Sequence, residues 1–170
     1  MIREEHIYLL GLTLIKGVGN VSARRLIEYY GSAKAVFTEK KHVLEQVPGI
    51  GEYIASSIRD SESTALKRAE KEFLFIEKNK ISVYSIADDH YPARLRECQD
   101  APVVFYFKGN ADLHASHIIS IVGTRNATEY GRNLTDTLIK DLSDSFPDIL
   151  IVSGLLVSTS CLTISFMAFL

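Results

Sequence analysis

Ile118-Ile119-Ser120-Ile121-Val122-Gly123-Thr124-Arg125 runs from a β-branched apolar segment into a glycine and an arginine. Such a run reads as a buried strand, and Gly123 ends it at a turn. Leu134, Leu138 and Leu142 then recur every fourth residue within Tyr130 to Leu142, which is helical spacing. Pro147-Asp148 is a breaker, and Ile149 to Ser153 is a further apolar strand that ends at Gly154. Strand, glycine turn, helix, strand is a βαβ unit. It implies a parallel sheet with ligands at the carboxyl ends of its strands. The turn itself suits an anion. Gly123 permits a concave run of backbone N–H groups, the following helix offers its positive end, and Arg125 can make a two-pronged contact with a phosphate. The expected phosphate-binding residues are Ser120, Gly123, Thr124 and Arg125, joined by Ser153 and Gly154 from the neighbouring strand. A plain turn with Arg125 in a surface ion pair is the competing reading. The dinucleotide fingerprint G-x-G-x-x-G and the Gly-Lys-Ser/Thr of a Walker loop are absent.

Upstream, Ile81 to Ile86 and Val103 to Phe107 also read as strands. The first sixty residues are different in kind. Ile7, Leu9, Leu10 and Leu14 recur at helical spacing. Asn20 is the expected N-cap of a helix carrying Val21, Leu26, Ile27 and Tyr30, closed by Gly31. Ser32 opens another short helix, and a last one starts after Gly51. Residues 61–80 read as a connecting helix, with Ala65, Ala69, Phe73 and Ile76 as its stripe.

That first segment holds an internal repeat. Ile15-Lys16-Gly17-Val18-Gly19 and Val47-Pro48-Gly49-Ile50-Gly51 lie 32 residues apart, each followed by alanine and then a large aliphatic residue at matching offsets. This is the pattern of a tandem helix–hairpin–helix. Gly17, Gly19, Gly49 and Gly51 let the turns approach another backbone, and the next helix N-terminus can hold a phosphate with no dependence on base. Arg24 and Arg25 lie one turn on and add charge. A protein-interaction module that keeps the hairpins for packing is the alternative, since the segment is nearly neutral.

The whole chain has 170 residues, with nineteen Lys and Arg against twenty-one Asp and Glu for a net charge of −2. No global positive field exists, so nucleic-acid binding must be local. Cys98 and Cys161 are the only cysteines, too few for a disulfide scaffold or a four-cysteine zinc site. The charged N-terminus has no signal-peptide core behind it, so a cytoplasmic location is expected. His114 and His117 read as solvated loop residues, Asp88-Asp89 as a turn or cap, Cys98 as semi-buried packing, and Lys40-Lys41 as a solvated pair. No catalytic set, metal site or cofactor is expected. Ile149 to Leu170 carries no charge. It is long enough to span a bilayer, but six serines and threonines dilute it and no basic residue flanks it.

Taken together these elements resemble the DNA-processing protein A family (DprA, also called Smf). The resemblance rests on the Gly17/Gly49 repeat, Tyr91-Pro92-Ala93-Arg94-Leu95, Pro102 to Asn110, Ser120 to Arg125 with Tyr130-Gly131-Arg132, and Ile151 to Leu155. It implies an α/β chain in two domains. Residues 1–62 would be an all-α SAM-like helix–hairpin–helix domain, and 63–170 the first part of a Rossmann-like parallel-sheet domain. It further implies binding of single-stranded DNA without sequence preference during natural transformation, loading of the RecA recombinase, homodimerisation, and no enzymatic activity. The family's second loop continues S-G-x-A-x-G-I-D, whereas Leu155 is followed here by Leu156-Val157-Ser158-Thr159-Ser160. Residues 156–170 are therefore expected to be foreign to the family, as a frameshift would make them. On that expectation the protein is a truncated member lacking the dimer and RecA surfaces and impaired in function. Two competing classes are a nucleotide phosphoribohydrolase of the lysine-decarboxylase-like type, which needs a second glycine-rich loop and an acid not found here, and a hairpin interaction domain with a membrane-anchored tail.

Overall fold

The computed structural model describes residues 2–122 and 128–153. The chain divides into two compact units, Met1–Lys108 and Gly109–Leu170.

The first unit is built on helices α1 (Ile2–Thr13), α2 (Asn20–Tyr30), α3 (Ala33–Thr38), α4 (Lys41–Leu44) and α5 (Glu52–Lys78). Their apolar stripes meet in one core in which Leu12, Leu26, Val36, Leu44 and Ile58 are completely buried. Burial of each such side chain is worth about 1.5–3 kcal/mol. The two segments read separately as a helix after Gly51 and a connecting helix are a single helix, α5. Its buried positions Ala55, Ile58, Ala65, Ala69, Phe73 and Ile76 form one continuous stripe, and residues 62 and 63 both lie inside it. Gly31 closes α2 in the left-handed conformation at φ 82°, its N–H donating to Ile27 O. Ser32 caps α3 by accepting from Ala35 N at 3.1 Å. The cap of α2 differs from expectation: Gly19 holds that position and Asn20 is the first helical residue.

The unit is completed by strands β1 (Ser82–Ser85) and β2 (Val104–Phe107), joined through the short helix α6 (Ala93–Arg96). These strands pair antiparallel, with Ser82 opposite Phe107 and Ser85 opposite Val104. They form their own two-stranded sheet rather than extending a parallel one. Local β-branched composition identifies a strand but not its partner. The link between them is pinned by its own side chains. Asp88 accepts from Ser85 N at 2.6 Å, forming the turn expected of Asp88-Asp89. Tyr91, fully buried, donates its hydroxyl to Pro102 O at 2.7 Å. Cys98, by contrast, is exposed rather than semi-buried.

The second unit carries the βαβ pattern: β3 (Ile118–Ile121), α7 (Glu129–Ser145) and β4 (Leu150–Ser153). β3 and β4 are parallel, with Ile118 opposite Leu150 and Ile121 opposite Ser153. Ile139 of α7 packs on Ile149 and Ile151, with Ile119, Ile121 and Leu142 around them. β3 is half-buried, not buried as its composition suggested. The leucine ladder of α7 is not its packed face either, since Leu134 and Leu138 are 55% and 48% exposed.

Candidate nucleic-acid interface

The parallel register brings the last residues of β3 and β4 side by side at one carboxyl rim. Paired residues share a face and successive residues alternate. Ser153 therefore shares the α7 side of the sheet with Ile121, while Ser120, opposite Val152, projects from the other side. Ser120 is exposed. Ser153 is buried, and its hydroxyl has no hydrogen-bond partner among the described residues. A buried hydroxyl left unpaired costs about 1–3 kcal/mol. Gly123, Thr124, Arg125 and Gly154 lie outside the described residues. Thr128 caps α7 with Oγ1 accepting from Gly131 N at 3.1 Å. Glu129 already places negative charge in that first helical turn, which partly satisfies the helix dipole.

The two hairpins of the first unit are equivalent in conformation as well as sequence. Gly17 and Gly49 have φ of 89° and 83°, which favours glycine. Gly19 and Gly51 are both extended helix caps, at φ −88° and −85°. The hairpins are also cross-braced. A Cβ on Gly17 would stand 2.6 Å from the Tyr53 ring of α5, and one on Gly49 would collide with the Arg25 guanidinium of α2. In front of Gly19 and Gly51, nothing lies within 4 Å of an added Cβ. The closely packed glycines thus serve the fold, and the cap glycines leave two exposed helix N-termini open to solvent.

Arg24 and Arg25 have separate duties. Arg24 bonds Glu28 Oε1 at 2.8 Å and reaches the carbonyls of Arg96 and Cys98 at 3.3 and 3.2 Å, which ties α2 to the end of α6 and the residues just after it. It is therefore a brace within the protein. Arg25 is exposed over the second hairpin. Val21, Arg24, Arg25, Glu28, Glu97 and Gln99 line an open groove of about 450 Å³ beside it. Lys41, expected to be solvated, bonds Glu52 Oε1 at 3.0 Å, and that bond raises its pKa above the ordinary value. Among the described residues no group of three or more His, Cys, Asp or Glu side chains is placed to hold a metal ion, and no helix is long and apolar enough to cross a membrane.

Residues 82–158 match the family described as DNA recombination-mediator protein A, and residues 9–61 match the SAM-like helix-hairpin-helix tandem. The chain is 38% identical over 79 residues to the DNA processing protein DprA of Streptococcus pneumoniae, covering 46% of this chain and 27% of that protein. It is 29% identical over 162 residues to protein Smf of Synechocystis, covering 91% of this chain and 39% of that one. The matched stretches thus cover well under half of either relative. The X-ray structure of DNA processing protein A from S. pneumoniae shares the fold, with a TM-score of 0.56 at 23% identity over 89% of this chain and 49% of that one. In the hairpin tandem, the parallel pair and these matched stretches the chain is similar to the DprA/Smf proteins.

Proposed function

We propose that this chain is a DNA-processing protein that binds single-stranded DNA through its sugar–phosphate backbone, at the carboxyl rim of β3 and β4. The observation that carries the reading is Ser153, a buried hydroxyl without a partner among the described residues at the end of a parallel strand, where α/β sheets take their ligands. Gly123, Thr124, Arg125 and Gly154 supply the backbone amides and the guanidinium, and Ser120 borders the rim. Backbone contacts of this kind carry no base information, so binding is independent of sequence. The cap glycines of the two hairpins give auxiliary phosphate contacts. The protein works by binding and not by bond-breaking, in the cytoplasm, during uptake and recombination of DNA. The description of the matched family as a recombination-mediator protein supports the recombination part of this reading.

The test is fluorescence anisotropy of a labelled oligodeoxythymidylate with the full chain at low salt. Affinity should fall steeply as salt rises. Arg125→Ala should weaken binding about 10- to 100-fold, the value of a charge-assisted bond. Equal affinity of the wild type and Arg125→Ala would remove the rim from the mechanism.

A further inference from the structure

The outward face of α5 carries a second pattern that the rim does not use. Lys67, Arg68, Lys71 and Lys78 are exposed, and none of their side chains makes a hydrogen bond or ion pair with another described residue. At 3.6 residues per turn the four fall within one arc of the helix surface, opposite the buried stripe of Ala65, Ala69, Phe73 and Ile76. Phe75 lies inside that arc at 59% exposure, and Leu74 at its edge at 56%. The acids of this part of the helix lie to either side. Glu70 and Glu77 share one flank, with Glu77 engaged by Arg3 at 3.8 Å. Glu72 is half-buried toward the core on the other.

We propose that this face of α5 binds single-stranded nucleic acid, its cations holding phosphates while Phe75 stacks on an unpaired base. The charge decides for an anionic partner, and the ring decides which one. A phenylalanine set among cations matches a strand whose bases are free to stack, whereas duplex DNA hides its base faces. A lipid surface fits poorly, because the apolar stripe of α5 is already spent on the protein core and only two outward apolar side chains remain. The inference rests on the reading of the chain as a DNA binder but not on the rim at Gly123.

The chain has no tryptophan, so Phe75→Trp in the full chain places a single indole reporter on this face. Titration with an oligodeoxythymidylate should quench its emission saturably, and duplex DNA of equal length should quench it far less. Replacing Lys67, Arg68, Lys71 and Lys78 by Gln should flatten the dependence of log affinity on log salt by about 0.7 for each phosphate no longer neutralised, roughly 2–3 in all. Unchanged emission, with the labelled strand still bound by anisotropy, overturns the α5 assignment and leaves the rim intact. No anisotropy change at low salt overturns both. Equal quenching by polyglutamate or by phosphatidylserine vesicles overturns it in favour of a partner that is merely acidic.

Discussion

Tyr91 shows how much of this architecture hangs on single buried polar atoms. Its ring is inaccessible to solvent, and its hydroxyl closes the β1–β2 connection on Pro102 O at 2.7 Å. Tyr91→Phe leaves that carbonyl without its donor and should cost about 1–2 kcal/mol in thermal or urea unfolding. Burial pushes the phenol up to about 12, with Cys98 adding to the effect and Arg24 and Arg96 opposing it. A proton held more tightly when folded stabilises the fold fully below the unfolded value of about 10. That contribution is lost as pH rises from about 10 through about 12, at no more than about 1.4 kcal/mol per unit. Tyr91→Phe should therefore show a shallower alkaline loss of stability than the wild type; parallel profiles would place the lost stability elsewhere. The hairpin glycines separate in the same way. Gly17→Ala meets both a positive φ and the Tyr53 ring at 2.6 Å, and should cost about 1–3 kcal/mol. Gly51→Ala meets neither and should cost less than about 1 kcal/mol. If the caps touch DNA, the added methyl of Gly51→Ala should weaken single-strand binding several-fold while the melting temperature hardly moves.

At the scale of the element, α5 is the spine of the first unit. Ala69 is completely buried on it, and small residues of this kind allow close helix packing. Ala69→Leu should force the helices apart at about 1–3 kcal/mol, lowering the urea midpoint with an unchanged slope. The residues also say why the sequence shows some elements and hides others. The hairpin repeat is visible because its glycines are dictated by backbone conformation, a local property that reads directly from residue type. α5 breaks in two on reading because Ser61-Glu62-Ser63-Thr64 lowers the apolar density in the middle of a stripe that continues through it. α7 is legible as a helix, but its packed face is not. A ladder spaced strictly by four drifts about 40° per step around a helix of 3.6 residues per turn. It therefore cannot stay on one face: Leu142 ends beside the sheet while Leu134 and Leu138 face outward. Ile139, a single residue, marks the packed side. At the rim, Ser120 and Ser153 look equivalent in sequence, and only the strand register puts them on opposite faces of the sheet.

Over the molecule as a whole, the described residues divide unequally between structure and binding. The first unit encloses a core of buried side chains from α1, α2, α3, α4 and α5 together with Val103 and with Val104 of β2. The described part of the second buries a cluster of Ile139, Ile149 and Ile151 with half-buried partners, on two strands. Two strands and one helix bury little apolar area, and two-stranded sheets are marginal on their own. Opening free energies within one protein range from near zero up to the global value, following local apolar burial. Amide hydrogen exchange of the full chain should therefore be slowest in α2 and α5 and faster in β3 and β4 by orders of magnitude. The difference has a functional side. A phosphate bound at the carboxyl rim would satisfy Ser153 and stabilise the unit by mass action. Saturating oligodeoxythymidylate should then slow exchange in β4 and at the start of α7, and leave the α2 core unaltered. Protection that appears only in the first unit would move the DNA site from the rim to the hairpins and the α5 face.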